Sequence, residues 1–97
     1  MTQDTALRRS GDPHDVGTAR EFAAALSEVR LRAGLSVRDV ARATGIPSGT
    51  LGGYFSGRHL PPATQPQLLG QVLGALGISD PHAVEQWREA LLRARRG

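Results

Sequence analysis

The chain contains no cysteine, which excludes disulfides, thiol catalysis and zinc held by cysteine ligands. It contains no lysine either, so the glycine-rich run over residues 49 to 57 lacks the lysine that a nucleotide-binding Walker loop requires. No stretch has the apolar length of a membrane span, and no apolar run opens the chain as a signal peptide would. We therefore expect a cytoplasmic protein that does not contact a membrane.

Groups that could carry catalysis or hold a metal are few and scattered. His14, His59 and His82 are far apart in the sequence, which argues against a metal site. Ser48 and Ser56 have no base within reach in the sequence, and helix capping and turn formation account for both. We expect neither a cofactor nor an enzyme activity.

The composition is that of one small domain with a modest positive charge. A chain of 97 residues can bury a single core and little more. Residues 18 to 60 carry six arginines against three acids, whereas residues 1 to 17 carry two arginines against three aspartates. A positive surface suits the phosphates of a nucleic acid. The excess favours such a partner only slightly, because many solvated domains carry a similar charge.

The most informative stretch covers residues 36 to 57 and predicts two short helices joined by a tight turn. Ser36 and Asp39 have the spacing of a capping box at the start of the first helix. Gly45 provides the positive φ that ends this helix. The second helix is predicted to run from Pro47 or Ser48 to Ser56. Its buried side is predicted to consist of Leu51, Tyr54 and Phe55.

Ala41 is the small residue that lets two helices cross closely when so short a turn joins them. The opening Leu35-Ser36, Ala41 and the later Gly45 have the spacing of the phage-repressor (Cro-like) helix-turn-helix family, which the chain resembles over roughly residues 22 to 78. The resemblance implies an all-α, five-helix, lambda-repressor-like helix-turn-helix domain. An ordinary helical hairpin closed by a glycine turn is the alternative interpretation.

A further helix is predicted before the motif, from a capping box of Thr18 and Glu21 to Gly34. Arg30 and Arg32 lie off its apolar face and are expected to be solvated. Residues 1 to 17 lack periodicity and hold a Pro-His-Asp stretch that fits neither helix nor strand, so we predict a disordered lead-in to a domain of residues 18 to 97. The inward residues of this helix are predicted to be Phe22, Leu26, Val29 and Ala33.

Two more helices are predicted after the motif, over residues 65 to 77 and from an Asp80 cap to about Arg95. Gly70 and Gly74 lie four residues apart and would permit close contact with another helix. The inward residues are predicted to be Leu69, Val72, Leu73, Leu76, Val84, Trp87, Leu91 and Ala94.

The resemblance implies binding to duplex DNA, with the second helix of the motif in the major groove. The positions that match the base-reading sites of the family are Ser48, Gly49 and Gly53, with Gly52 beside them. The candidates for contacts with phosphates are Arg38, Arg42, Arg58 and His59. Each arginine is explained equally well as solvated surface.

The proposed reading helix departs from the pattern of the family, because Gly49, Gly52, Gly53 and Ser56 recur at helical spacing. Its outward stripe is therefore predicted to be nearly bare, although direct readout needs long side chains. Where the family often has a carboxylate that can pair with an arginine of the first helix, this chain has Phe55.

Two functions remain open from the sequence. The first is the DNA-binding module of a bacterial transcriptional regulator, which would select its site partly through two half-sites bound by a homodimer. The second is a protein-interaction or self-association module that uses the glycine face and Phe55 to contact a protein partner.

Overall fold

The structure, a computed structural model, describes residues 13–97. Over this range the chain forms five α-helices and no strand, so the predicted all-α fold is confirmed. A 3-10 helix, Pro13–Asp15, comes before them. The α-helices are α1 (Ala19–Arg32), α2 (Val37–Thr44), α3 (Ser48–Ser56), α4 (Pro66–Ala75) and α5 (Pro81–Arg96).

The predicted caps of α2 and α5 are confirmed. Ser36 Oγ accepts from the amide of Asp39 at 3.0 Å, and Asp39 Oδ2 accepts from the amide of Ser36 at 2.8 Å. Asp80 Oδ2 accepts from the amide of Ala83 at 2.9 Å, with Pro81 in the first turn. These bonds satisfy amides that have no partner within their own helix.

Gly34 follows the C-cap of α1 with a φ of 73°, as predicted for its end, but the start of the helix and one of its predicted core residues differ from the prediction. Thr18 Oγ1 accepts from the amide of Glu21 at 3.1 Å, but Glu21 Oε1 accepts from the amide of Gly17 at 2.8 Å. The predicted reciprocal capping box is therefore wrong, because the carboxylate reaches one residue further back. Ala33 follows the last helical residue and is exposed, so its predicted place in the core is also wrong.

The stretch before α1 packs against the last helix. Val16 is buried in the core, and Arg93 on α5 donates through Nε to the carbonyl of Val16 at 2.9 Å and through Nη2 to that of Pro13. The prediction that the Pro-His-Asp stretch fits neither helix nor strand is wrong, because Pro13–Asp15 form a 3-10 helix and Arg93, 80 residues further along the chain, binds the carbonyl of Pro13. Residues 1–12 of the predicted lead-in lie outside the described residues.

A single hydrophobic core joins the helices. Trp87 on α5 is 2% exposed and meets Phe22 on α1 edge to face, with ring centroids 5.7 Å apart. Helix α1 packs against α3 and α5, while α2 packs against α3 and α4. Helix α3 is thereby held from two sides. The largest fully buried residues are Phe22, Leu26, Val40, Leu51, Pro61, Leu69, Val72 and Leu73.

Gly70 and Gly74 do not bring two helices together. A Cβ built at either position has no neighbouring atom within 4 Å, so this part of the prediction is wrong. The inward residues predicted for α4 are all buried, and those predicted for α5 are buried or half-buried.

Candidate nucleic-acid interface

Helices α2 and α3 form a helix-turn-helix whose turn is closed by local hydrogen bonds. Gly45 has a φ of 79°, in the left-handed region that favours glycine. Thr44 Oγ1 donates to the carbonyl of Val40 at 2.8 Å and accepts from the amide of Ile46 at 3.1 Å. Ile46 is buried and anchors the turn, and Pro47 lies at the cap of α3. The predicted boundaries of both helices are confirmed.

Helix α3 has one buried side and one open side. Leu51, Tyr54 and Phe55 are buried as predicted, and burial raises the pKa of the Tyr54 hydroxyl. The open side carries small groups, namely exposed Ser48, Gly49, Thr50 and Ser56 with half-buried Gly52. A Cβ built at Gly49 or Gly52 meets no atom within 4 Å, so the backbone itself forms much of this surface.

Gly53 is not part of the bare stripe, and the prediction that it would be is wrong. It is buried, because the imidazole of His59 lies on it. A Cβ built at Gly53 would overlap the ring at Cδ2 and lie 3.1 Å from Cγ. The loop after α3 therefore folds back onto the helix at this position. A substitution of Gly53 would first displace this ring.

Phe55 is 8% exposed and offers no aromatic surface to a partner. The guanidinium of Arg30 lies over its ring, 5.0 Å from the centroid, and Nη1 of Arg30 donates to the carbonyl of Leu35 at 2.8 Å. The prediction that Phe55 could contact a protein partner is wrong, since Arg30 covers it. The prediction of a solvated Arg30 is wrong for the same reason.

The arginines predicted to contact phosphates lie on the surface around the motif. Arg38 and Arg42 are exposed one turn apart on α2, and Arg58 is exposed just after α3.

Asp39 lies between the two arginines of α2, and its carboxyl has a lowered pKa. The hydrogen bond with the backbone amide of Ser36 is the largest cause, the hydrogen bond with the Ser36 hydroxyl comes next, and the charge of Arg42 adds a smaller effect. The negative charge of Asp39 thus stabilises the N-terminus of α2.

Thr50 is an exposed residue of α3 that was absent from the predicted site. It lies in the first turn with Ser48, and each carries a hydroxyl that can donate or accept a hydrogen bond. Helical spacing alone does not predict its exposure, because Thr50 comes one turn before the buried Tyr54 and lies about 40° from it around the helix.

The described part of the chain offers neither a metal site nor a membrane span. No group of three or more histidine, aspartate or glutamate side chains lies together there. None of its helices combines the length and apolar character that crossing a bilayer requires.

The defining feature of a helix-turn-helix protein is a pair of short helices joined by a tight turn, in which one side of the second helix stays exposed. Helices α2 and α3 have this arrangement. A family model described as a helix-turn-helix domain matches residues 21–87, and the chain belongs to this family. The match covers α2, α3 and α4 and extends to Trp87 on α5. Comparisons with curated proteins and with solved structures found no match.

Proposed function

We propose that this domain is the DNA-binding module of a bacterial transcriptional regulator of the phage-repressor (Cro-like) type, with α3 in the major groove of duplex DNA. One observation carries the proposal: α1 and α2 bury one side of α3 and leave its first turn exposed, with Gly52 half-buried and Ser56 exposed further along. In a helix-turn-helix, the N-terminal part of the second helix contacts base edges while the first helix crosses the backbone.

Three arginines are the proposed contacts with the DNA backbone. Arg38 and Arg42 project from α2, the helix that crosses the backbone in this geometry, and Arg58 follows the end of α3. Within the described part of the chain, Arg58 donates only its backbone amide, to Ser56 Oγ, and none of the three guanidinium groups makes a hydrogen bond or an ion pair. Their guanidinium groups are therefore available to phosphate oxygens, which they bind without regard to sequence.

The open face of α3 limits what the helix can read by itself. Ser48 and Thr50 provide short hydroxyl groups, and Gly49 and Gly52 provide none, so the bidentate contacts that discriminate between bases are missing. The same absence of side chains lets the helix backbone approach the floor of the groove. A regulator built in this way would rely on DNA shape and on the spacing of two half-sites bound by a homodimer.

The protein-interaction alternative loses its main support because Phe55 is buried beneath Arg30. What remains on the open side of α3 is glycine backbone and hydroxyl groups. Protein interfaces are instead enriched in exposed aromatic residues, methionine and arginine.

A titration against duplex DNA tests the proposal. The folded chain is titrated with a random duplex at two salt concentrations, and binding is followed by fluorescence anisotropy. We expect binding at low salt that weakens as the salt concentration rises. The salt slope, which is the slope of the logarithm of the affinity against the logarithm of the salt concentration, is set by the number of phosphates contacted. An absence of binding to any duplex at low salt would reject the proposal.

A further inference from the structure

The imidazole of His59 occupies the space that a side chain at position 53 would fill. A Cβ built at Gly53 meets the ring at Cδ2, Cγ and Nε2, and these are its three nearest atoms. The ring of His59 is therefore the group that buries Gly53. Any residue other than glycine at this position would push the ring away.

The position that the ring covers belongs to the outward face of α3. At 3.6 residues per turn, Gly53 projects about 40° from Gly49 on one side and about 60° from Thr50 on the other. Both of those neighbours are exposed. The imidazole consequently stands on the helix between two positions that the proposed docking directs toward the bases.

The loop that carries His59 is held in place at several points. Gly53 O accepts from the amides of Gly57 at 3.0 Å and His59 at 3.2 Å, which ties the loop to the end of α3. Pro61 is fully buried, and its carbonyl accepts from Nη2 of Arg95 on α5 at 2.6 Å. These contacts hold the loop, so the tertiary structure determines the position of the His59 ring on Gly53.

One nitrogen of the His59 ring, Nδ1, lies on the side of the ring away from Gly53. His59 is exposed, and within residues 13–97 its ring makes no hydrogen bond or ion pair. The edge at Cδ2 faces Gly53, so Nδ1 and Cε1 lie farther from a Cβ built at that residue than Cδ2, Cγ and Nε2 do. A ring nitrogen can donate or accept a hydrogen bond, according to the tautomer.

We infer that His59 is a specificity-determining residue, whose imidazole, seated on Gly53, provides the base-reading group that α3 lacks. This inference rests on the proposed function. The partner group is the N7 acceptor of a purine, which guanine and adenine both present in the major groove. A ring N–H that donates to N7 selects a purine over a pyrimidine at one position of each bound site.

Selection of binding sequences from a random duplex library tests this role in the folded chain. We expect the original protein to prefer a purine at one position by about three- to tenfold, the effect of one hydrogen bond. His59→Ala should abolish that preference and leave the salt slope unchanged. A contact between His59 and a phosphate would instead weaken binding to all sequences alike and lower the slope by about one unit.

Gly53→Ala gives a second test that leaves His59 in the chain. The clash falls on the imidazole ring and not on backbone, so we expect the helix to remain folded and the ring to move. The variant should lose the same purine preference, and the double variant with His59→Ala should lose no more than either single variant. Gly74→Ala on α4, where a Cβ meets no atom within 4 Å, is the matched control and should keep the preference.

The outcomes separate this inference from the function on which it rests. If the original protein binds duplex DNA and His59→Ala retains every base preference, the role of His59 is rejected while DNA binding stands. If His59→Ala lowers both the affinity for all sequences and the salt slope, His59 is a phosphate contact and the inference is again rejected. Failure of the original protein to bind any duplex at low salt rejects both.

Discussion

The guanidinium of Arg30 and the ring of Phe55 join the end of α1 to the end of α3. The charge lies 5.0 Å from the ring centroid, and Ser27 Oγ on α1 also donates to the carbonyl of Phe55 at 2.9 Å. Arg30 reaches the residue before the α2 cap as well, through its 2.8 Å bond to the carbonyl of Leu35. One arginine therefore connects the three helices that make up and support the helix-turn-helix.

Replacement of Arg30 should destabilise the domain. Arg30→Leu removes both the cation–π contact and the bond to Leu35, so we expect the free energy of unfolding to fall by about 1–3 kcal/mol. Arg30→Lys keeps the charge but not the planar group, and its loss should be smaller than that of Arg30→Leu. Urea denaturation measures the free energy of unfolding of both variants.

Arg20→Ala, at an exposed position on the same helix, is the control and should change stability by no more than about 0.5 kcal/mol. Equal effects of Arg30→Leu and Arg20→Ala would contradict the role of Arg30.

Trp87 should carry a large share of the stability of α5. Trp87→Ala empties a buried aromatic site beside Phe22, and we expect a loss of about 3–5 kcal/mol in denaturation experiments. Leu92→Ala is the control on the same helix, because Leu92 is 48% exposed, and its effect should be well under half as large. The fluorescence of Trp87, the sole tryptophan, should be blue-shifted and poorly quenched by iodide. Quenching as efficient as in the unfolded chain would contradict its burial.

Alanine at Gly49 or Gly52 should stabilise the fold and weaken DNA binding at the same time. Both positions have room for a methyl group, so each substitution should add about 0.4–1 kcal/mol by restricting the unfolded chain. The added methyl would hold the helix backbone away from the groove floor and reduce duplex affinity. Gly74→Ala should provide a similar stabilisation with unchanged affinity. Variants at both α3 positions that bind DNA as well as the original protein would disprove close docking of the glycine face.

Removal of the exposed arginines should reduce binding without changing its sequence preference. For Arg38→Ala, Arg42→Ala or Arg58→Ala we expect weaker binding to all duplexes and a salt slope lower by about one unit for each true phosphate contact. Arg88→Ala on α5, an exposed arginine paired with Glu85, serves as the control. An unchanged affinity in the single variants and in the triple variant would remove these residues from the interface.

Acid should weaken the cap of α2. The Ser36 amide and hydroxyl keep the pKa of Asp39 below its ordinary value. A depressed pKa in the folded state means that the carboxylate stabilises the fold above the ordinary pKa of aspartate, and that this contribution is lost as the pH falls through the folded-state pKa. The original protein should therefore be more stable than Asp39→Asn near neutral pH, and the difference should shrink in acid. A difference that is independent of pH would contradict the charged capping box.

Local chemistry allowed several features to be predicted from the sequence. The box of Ser36 and Asp39, the left-handed Gly45 and the Asp80 cap all depend on groups within four residues of one another. The apolar periodicity of α4 and α5 likewise predicted which of their residues are buried. The helix-turn-helix could be recognised because short-range interactions determine where its helices begin and end.

Contacts between distant residues could not be predicted in this way, and they decide how the candidate site is built. Helical spacing alone places Gly53 on the open face, but the loop returns His59 to that position, partly because Arg95 on α5 binds the loop carbonyls. In the same way, Arg30 covers Phe55. The sequence by itself determined the helices and their caps, because hydrogen bonds within a few residues control them. Only the tertiary structure decided which side chains cover α3, because their positions depend on the path of the whole chain.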